Sequence, residues 1–340
     1  MRKIGILQTA FLGDTVLVAE MIGKIKELYG DQAQIYLIAK KNIEPIFDHD
    51  PRLAGLITYD KNDTQSGIFG LLHIIFAVRK LKLDTMLCVH RHMRSSIITR
   101  LSGAKEVIGF KDAVFSSWFT KKVERTGEHE VLKNHLLLEA MDDNFKKIKP
   151  DVKHPYVLFP PAESDRKDLV AIEKGSFIAV APGSKWHTKR WTSTGYAETI
   201  SKLLKMTEYR IIITGDKADI KFSDAIVSML PPSRRITDMT GKLSIPELFY
   251  LLSKARLLIT NDSAPQHIAV GLGVPVIAIF GPTTKSLGFY PFSEKAAVME
   301  ANLDCRPCGS HGHMECPKNT HVCMLDVKPD AVFETAMKLI

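Results

Sequence analysis

The 340-residue chain reads as a two-domain α/β protein, each domain a Rossmann-like parallel sheet, the two facing a central cleft. Three observations predict this. Short apolar runs of strand length alternate with stretches whose apolar residues recur at helical spacing, the signature of parallel strands joined by crossover helices. The length exceeds what a single hydrophobic core usually supports. A Pro-rich, charged break between Lys149 and Glu173 separates two such series.

In the first series, strands are expected at 3–8, 35–39, 56–59, 85–89 and 106–109, and helices at 15–29, 68–81 and 131–145. The second series has strands at 177–181, 210–214, 257–260 and 274–280. Its helices fall at 193–205, 218–229, 245–252 and 264–272. A last helix, 328–339, follows a cysteine-rich loop. The resulting division is 1–160, 161–325 and a C-terminal helical segment 326–340.

A hydrophobic fraction of 45% and a charged fraction of 25% are ordinary for a soluble globular protein. The most apolar stretch, 268–280, is broken by Gly271, Gly273 and Pro275, so no run reaches the length needed to span a bilayer. The N-terminus turns polar by Gln8 and lacks a signal-peptide core, which points to the cytoplasm. The net charge of +8 favours anionic partners: nucleic acid, phosphorylated lipid or phosphate-bearing small molecules. No nucleic-acid-binding module accompanies that charge, so nucleic acid is not an expected partner.

Three turns carry candidate chemistry. The first, Ala10-Phe11-Leu12-Gly13-Asp14-Thr15, follows the first strand, and ligands of open parallel sheets bind beyond the carboxyl ends of strands. Asp14 there is either a general base or the N-cap of the next helix. The second turn runs from Ala181 to Trp191. It combines Pro182-Gly183 with the hydroxyls of Ser184 and Thr188 and the cations Lys185, Lys189 and Arg190, a set suited to a diphosphate whose charge grows as it leaves. Trp186 and Trp191 either flank a base or sugar or anchor the loop in the core. The third turn, Asn261-Asp262-Ser263-Ala264-Pro265-Gln266-His267, opens a helix. Free N–H groups and the positive dipole end favour an anion there. Asp262 suits sugar hydroxyls, and His267 a phosphate oxygen or a buried hydrogen bond. Thr283 and Thr284 follow the next strand on the same rim.

Gly13-Asp14, Pro182-Gly183 through Lys189-Arg190-Trp191, Asn261-Asp262-Ser263 through His267, and Phe280-Gly281-Pro282-Thr283 occur in one order along nearly the whole chain. Together they resemble the signatures of glycosyltransferase family 9, the ADP-heptose:lipopolysaccharide heptosyltransferases. The resemblance implies a GT-B architecture and an inverting transfer of heptose from an ADP-sugar donor to the lipopolysaccharide inner core, on a phosphorylated lipid A-core acceptor. Asp14 matches the family's proposed general base, and Lys189 the lysine on the donor phosphate and sugar. Asp262 matches the aspartate on heptose hydroxyls; Ser263, Ala264 and His267 match the phosphate-binding helix start. Ser184, Lys185, Thr188 and Thr283 complete the expected donor-binding set. Glu20 stands where many relatives have Pro, and Ala264-Pro265 replaces a commoner Gly-containing pair, which leaves subfamily and acceptor open. The alternatives are a GT-B enzyme using another nucleotide sugar for capsule, O-antigen or protein glycosylation, or a non-catalytic nucleotide-sugar-binding protein. No cofactor is required for transfer in this scheme. The basic surface suits reversible docking at the anionic inner face of the inner membrane.

Cys305-x2-Cys308-x7-Cys316-x6-Cys323 is a separate feature. A CxxC pair followed by two more cysteines in a Gly- and His-rich loop is what a tetrahedral thiolate site for structural zinc or iron requires. Reduced free thiols and disulfides are the alternatives. The four-cysteine tail resembles one in many family members, where it stands apart from the transfer chemistry.

Overall fold

A computed structural model describes residues 1–59 and 67–340, and the chain divides into two units, Met1–Phe159 and Pro160–Ile340. Each unit holds one six-stranded parallel sheet. The first contains β1 (Arg2–Gln8), β2 (Ala33–Lys40), β3 (Leu53–Tyr59), β4 (Thr85–Cys88), β5 (Glu106–Phe110) and β6 (Lys121–Val123). The second contains β7 (Phe177–Ala181), β8 (Arg210–Ile213), β9 (Ile236–Asp238), β10 (Leu257–Asn261), β11 (Val276–Phe280) and β12 (Ala296–Glu300).

The spatial orders are β3-β2-β1-β4-β5-β6 and β12-β11-β10-β7-β8-β9. Counted within each unit, both are the doubly wound 3-2-1-4-5-6 order. The chain reverses direction across the sheet between β1 and β4 in the first unit and between β7 and β10 in the second. Loops leaving these four strands therefore splay apart and leave a crevice, where open α/β sheets bind ligands.

Central strands are covered on both faces, which is why they read as continuous apolar runs. Every residue of β7, β10 and β11 is buried. Three edge strands, β6, β9 and β12, were not expected from sequence. Each is at most half-buried, so none carries the apolar signal of a covered strand. The helix Met93–Leu101 was also missed, because its buried face is largely hydroxyl-bearing: Ser95, Ser96 and Thr99 beside Ile98.

The helix expected at 15–29 is two helices, Leu12–Val16 and Ala19–Tyr29. Thr15 donates both its N–H (3.1 Å) and its hydroxyl (3.0 Å) to the Phe11 carbonyl, which starts the first helix early. Phe11 is the N-cap residue, and Asp14 lies in the first turn. Asp14 is thus not the helix cap. Glu20, the departure from the family pattern, is buried, with a carboxylate oxygen 3.4 Å from Nδ1 of buried His135 on helix Glu130–Met141. The C-terminal helix Pro329–Leu339 packs on helix Ser193–Met206 and β11 of the second unit, burying Val332 and Ala336.

Candidate functional site

The loops leaving β7 and β10 meet at the switch point of the second sheet, and Asn261 fastens them. This fully buried last residue of β10 accepts from the Trp191 N–H (3.0 Å) and the Tyr196 hydroxyl (2.9 Å) and donates to the Pro182 carbonyl (2.6 Å). It satisfies three groups that would otherwise be buried without partners. Replacing Asn261 by Ala is expected to destabilise the protein by about 3 kcal/mol, the scale of orphaned buried polar groups. Urea denaturation measures this, and an unchanged midpoint would show the latch to be incidental. The sequence signal was available: an amide ending an otherwise apolar, buried strand.

Beyond Asn261, Asp262 is buried and gathers three donors. Its Oδ2 accepts from Lys189 Nζ and from the Thr283 hydroxyl, both at 2.6 Å, and its Oδ1 from Gln266 Nε2 at 3.0 Å. Lys189 is itself largely buried, so the pair is a charge-assisted contact in a place of limited water. An ammonium has three donors, and Asp262 Oδ2 takes one, with a longer approach to the Asp262 carbonyl at 3.4 Å. The pair therefore holds Lys189 in one direction and leaves it hydrogen-bonding capacity for an incoming anion.

The helix Ala264–Gly271 begins beside this pair. Its N-cap, Ser263, is extended (φ −152°, ψ 169°) and makes no side-chain capping bond, and Pro265 sits in the first turn. Ser263 Oγ instead approaches Thr260 Oγ1 (3.3 Å). The first N–H groups and the dipole end are thus not occupied by the cap. Ala264 opens the helix at its rim, whereas His267 is buried one turn in, its Nε2 3.4 Å from Gln266 Nε2.

The β7 loop divides its polar residues between two tasks. Lys185 is exposed, its ammonium 5.5 Å from the Trp186 ring centroid. Ser184 is buried and Arg190 donates to its carbonyl (2.9 Å) and to Asp219 (3.1 Å). Gly183 is required here, because a Cβ would lie 2.0 Å from Asp219 Oδ2. Trp191 is core, donating from Nε1 to the Val327 carbonyl (3.2 Å). Thr188, expected at the donor, has its hydroxyl engaged by the cysteine segment: it donates to the His313 carbonyl (2.9 Å) and accepts from the His313 N–H (2.7 Å).

Thr188 thereby joins the β7 loop to the cysteine segment. His321 Nε2 lies 2.9 Å from the Thr188 carbonyl, and a Cβ on Gly312 would fall 2.6 Å from that of Trp186. The segment also holds the loop bearing Thr283. Buried Arg306 donates to the Gly281 carbonyl, to the Thr283 carbonyl (2.7 Å) and to the Glu300 carboxylate (2.8 Å), and the Cys308 N–H donates to the Pro282 carbonyl (2.9 Å). Nothing in the sequence between two cysteines marked Arg306 for this.

The four cysteines lie close enough together that Cys305, Cys308 and Cys316 each act on the Cys323 thiol. Cys305, Cys308, Cys316 and Cys323 form no disulfide, and among the described residues no group of three or more His, Cys, Asp or Glu is placed to hold a metal. Cys308 donates to the Cys305 carbonyl (3.2 Å) and Cys316 accepts from the His321 N–H (3.4 Å). Cys323 belongs to the apolar core, where burial pushes its thiol up to about 11.

In the first unit, Asp14 is half-buried in the helix that follows β1. A cluster missed in the sequence stands at this switch point: Thr9 Oγ1, His90 Nδ1 and Ser95 Oγ lie 2.7–3.2 Å from one another. It ties the turn after β1, which leads to Asp14, to the turn after β4.

Two doubly wound sheets, one with an uncapped helix end and a lysine–aspartate pair at its switch point, define an α/β protein of two Rossmann-like units. Residues 72–318 match the model of glycosyltransferase family 9 (heptosyltransferase), and the chain belongs to that family. It is therefore a glycosyltransferase. Lipooligosaccharide heptosyltransferase 2 of Campylobacter jejuni is 26% identical over 345 residues, covering 99% of this chain and 98% of the relative. Among solved structures, a glycosyl transferase family 9 protein from Veillonella parvula superposes with a TM-score of 0.84 at 19% identity, covering 99% of this chain and 97% of that one. The ADP-heptose lps heptosyltransferase II of E. coli gives a TM-score of 0.74 at 18% identity, covering 100% and 98%. The GT-B fold implied by the sequence is thus present. Among the described residues, no helix is long and apolar enough to cross a membrane.

Proposed function

We propose that the protein transfers heptose from ADP-heptose to the inner core of lipopolysaccharide, with inversion at the anomeric carbon. The observation that carries this reading is the buried Lys189–Asp262–Thr283 cluster beside the uncapped start of helix Ala264–Gly271. The names of the similar proteins supply the sugar and the acceptor.

In this scheme the second unit holds the donor and the first the acceptor. The acceptor oxygen attacks the anomeric carbon as the bond to the diphosphate breaks, and Asp14 takes the hydroxyl proton as general base. Lys189 and the N–H groups at Ser263 and Ala264 receive the negative charge that develops on ADP, with Lys185 at the exposed rim. Asp262 aims Lys189 and keeps one lone pair on Oδ1 for a sugar hydroxyl. Ser184 and Thr188 contribute through the shape of the loop. The charge of the leaving group is met by these side chains and N–H groups, so the reading calls for no cofactor. Because the acceptor is a lipid, the protein works at the anionic inner face of the inner membrane, held there reversibly.

Transfer assays with defined truncated lipopolysaccharide acceptors test the reading. ADP-heptose is expected to support product formation and ADP release, whereas UDP- and GDP-sugars are not. Transfer from a UDP- or GDP-sugar, with none from ADP-heptose, would overturn it. Lys189→Ala is expected to lower turnover by about 10²–10³-fold, the usual cost of removing a preorganised charge-stabilising donor. Steady-state kinetics read this, and unchanged turnover would remove Lys189 from the leaving-group site.

A further inference from the structure

We infer that the face formed by helices Gly67–Lys80 and Met93–Leu101 of the first unit is the surface on which the protein docks to an anionic lipid bilayer. This rests on the membrane-associated part of the proposed function and assigns it to particular residues.

The first observation is a helix that is apolar on both sides. Gly67–Lys80 buries Gly70, Ile74, Ile75 and Val78 against its own unit. Its other side presents Ile68, Phe69, Leu72 and Phe76, which are 66%, 83%, 42% and 62% exposed. A helix apolar all round belongs in an apolar environment, and here half of it faces outward. Helix Met93–Leu101 runs alongside. Arg94 donates to the Gly67 carbonyl at one end (2.5 Å) and Arg79 to the Leu101 carbonyl at the other (3.4 Å). That second helix adds exposed Met93 and Leu101. The neighbouring loop, tied on by the Val114 N–H to the Arg91 carbonyl (3.0 Å), adds Phe115 stacked on Trp118, both exposed.

The second observation is charge. Residues 67–105 hold seven Lys and Arg against one acid, Asp84, so +6 of the chain's +8 lies in this stretch. Lys105 pairs with Asp84 and Arg91 with Asp112. Among the described residues, Arg79, Lys80, Lys82 and Arg100 have no acidic partner. Exposed aromatic and aliphatic side chains flanked by cations suit the boundary between acyl chains and anionic headgroups. A second copy seated on the same face would set like charges against each other, which selects the bilayer over self-association.

Vesicle co-sedimentation of the full chain tests this, with phosphatidylglycerol–phosphatidylethanolamine vesicles set against phosphatidylcholine vesicles. The wild type is expected to bind the anionic vesicles and to lose binding as salt rises. Phe69→Ser/Phe76→Ser, which leaves charge unchanged, and Lys80→Gln/Lys82→Gln should each weaken binding by about tenfold. Melting temperature and turnover on a water-soluble, delipidated acceptor should stay at wild-type values. Variants that bind anionic vesicles as the wild type does would overturn the assignment of this face. A wild type that binds neither vesicle would overturn membrane association itself. A dimer in sedimentation equilibrium that the Phe variant dissolves would give the face to a second copy. Absence of transfer on every acceptor, with vesicle binding intact, would refute the reaction and leave the face standing.

Discussion

Asp14→Ala is expected to lower turnover by about 10²–10⁴-fold, the range of general-base catalysis, while donor affinity stays at its wild-type value. The two readouts separate because Asp14 belongs to the unit carrying β1, whereas the Lys189–Asp262 pair belongs to the unit carrying β7 and β10. Loss of structure is a poor alternative explanation. Asp14 is half-buried in a five-residue helix whose N-cap is Phe11, and an acid in a first turn contributes about 0.5 kcal/mol through the helix dipole. Asp14→Asn is the sharper variant, since it keeps the shape and removes the base. It should be as inactive as Asp14→Ala. Donor binding by calorimetry and single-turnover transfer check both statements. An Asn variant that retains near-normal turnover would transfer the base role to another group.

The sequence made the central strands plain and the edges faint, for one physical reason. β7, β10 and β11 are covered on both faces and must be continuously apolar, while β6 (Lys-Lys-Val) and β9 (Ile-Thr-Asp) face solvent and carry charge. Helix Met93–Leu101 was hidden because hydroxyls, not methyls, line its buried side, with Thr99 donating back to the Ser95 carbonyl at 2.6 Å. The site shows the same split. Turns after strand ends are legible, so Lys189, Asp262 and Thr283 were all picked out. That Lys189 and Asp262 pair across 73 positions, and that Thr188 faces the cysteine segment, depends on loop paths that no local pattern encodes. The spacing of Cys305, Cys308, Cys316 and Cys323 was legible as a thiolate set, whereas the apolar core around Cys323 on helix Val322–Leu325 was not.

Asp262→Ala is expected to remove transfer and also to destabilise the protein by about 3–5 kcal/mol, the cost of leaving one partner of a buried ion pair alone. Three donors lose their acceptor together: the Lys189 ammonium, the Thr283 hydroxyl and the Gln266 amide. For a unit of this size that is a fall in melting temperature on the order of 10 °C. The double variant Asp262→Leu/Lys189→Met separates structure from chemistry. Removing both charges deletes the orphaned ammonium, so most of the lost stability should return. Transfer should not return, because neither the cation nor its aiming carboxylate is present. Thermal denaturation and ADP release, measured on the wild type, Asp262→Leu, Lys189→Met and the double, complete the cycle. A double variant no more stable than Asp262→Ala would place the carboxylate's structural role on Thr283 and Gln266 rather than on Lys189. Recovery of turnover in the double variant would sink the leaving-group role of the pair, since stability alone would then account for both losses.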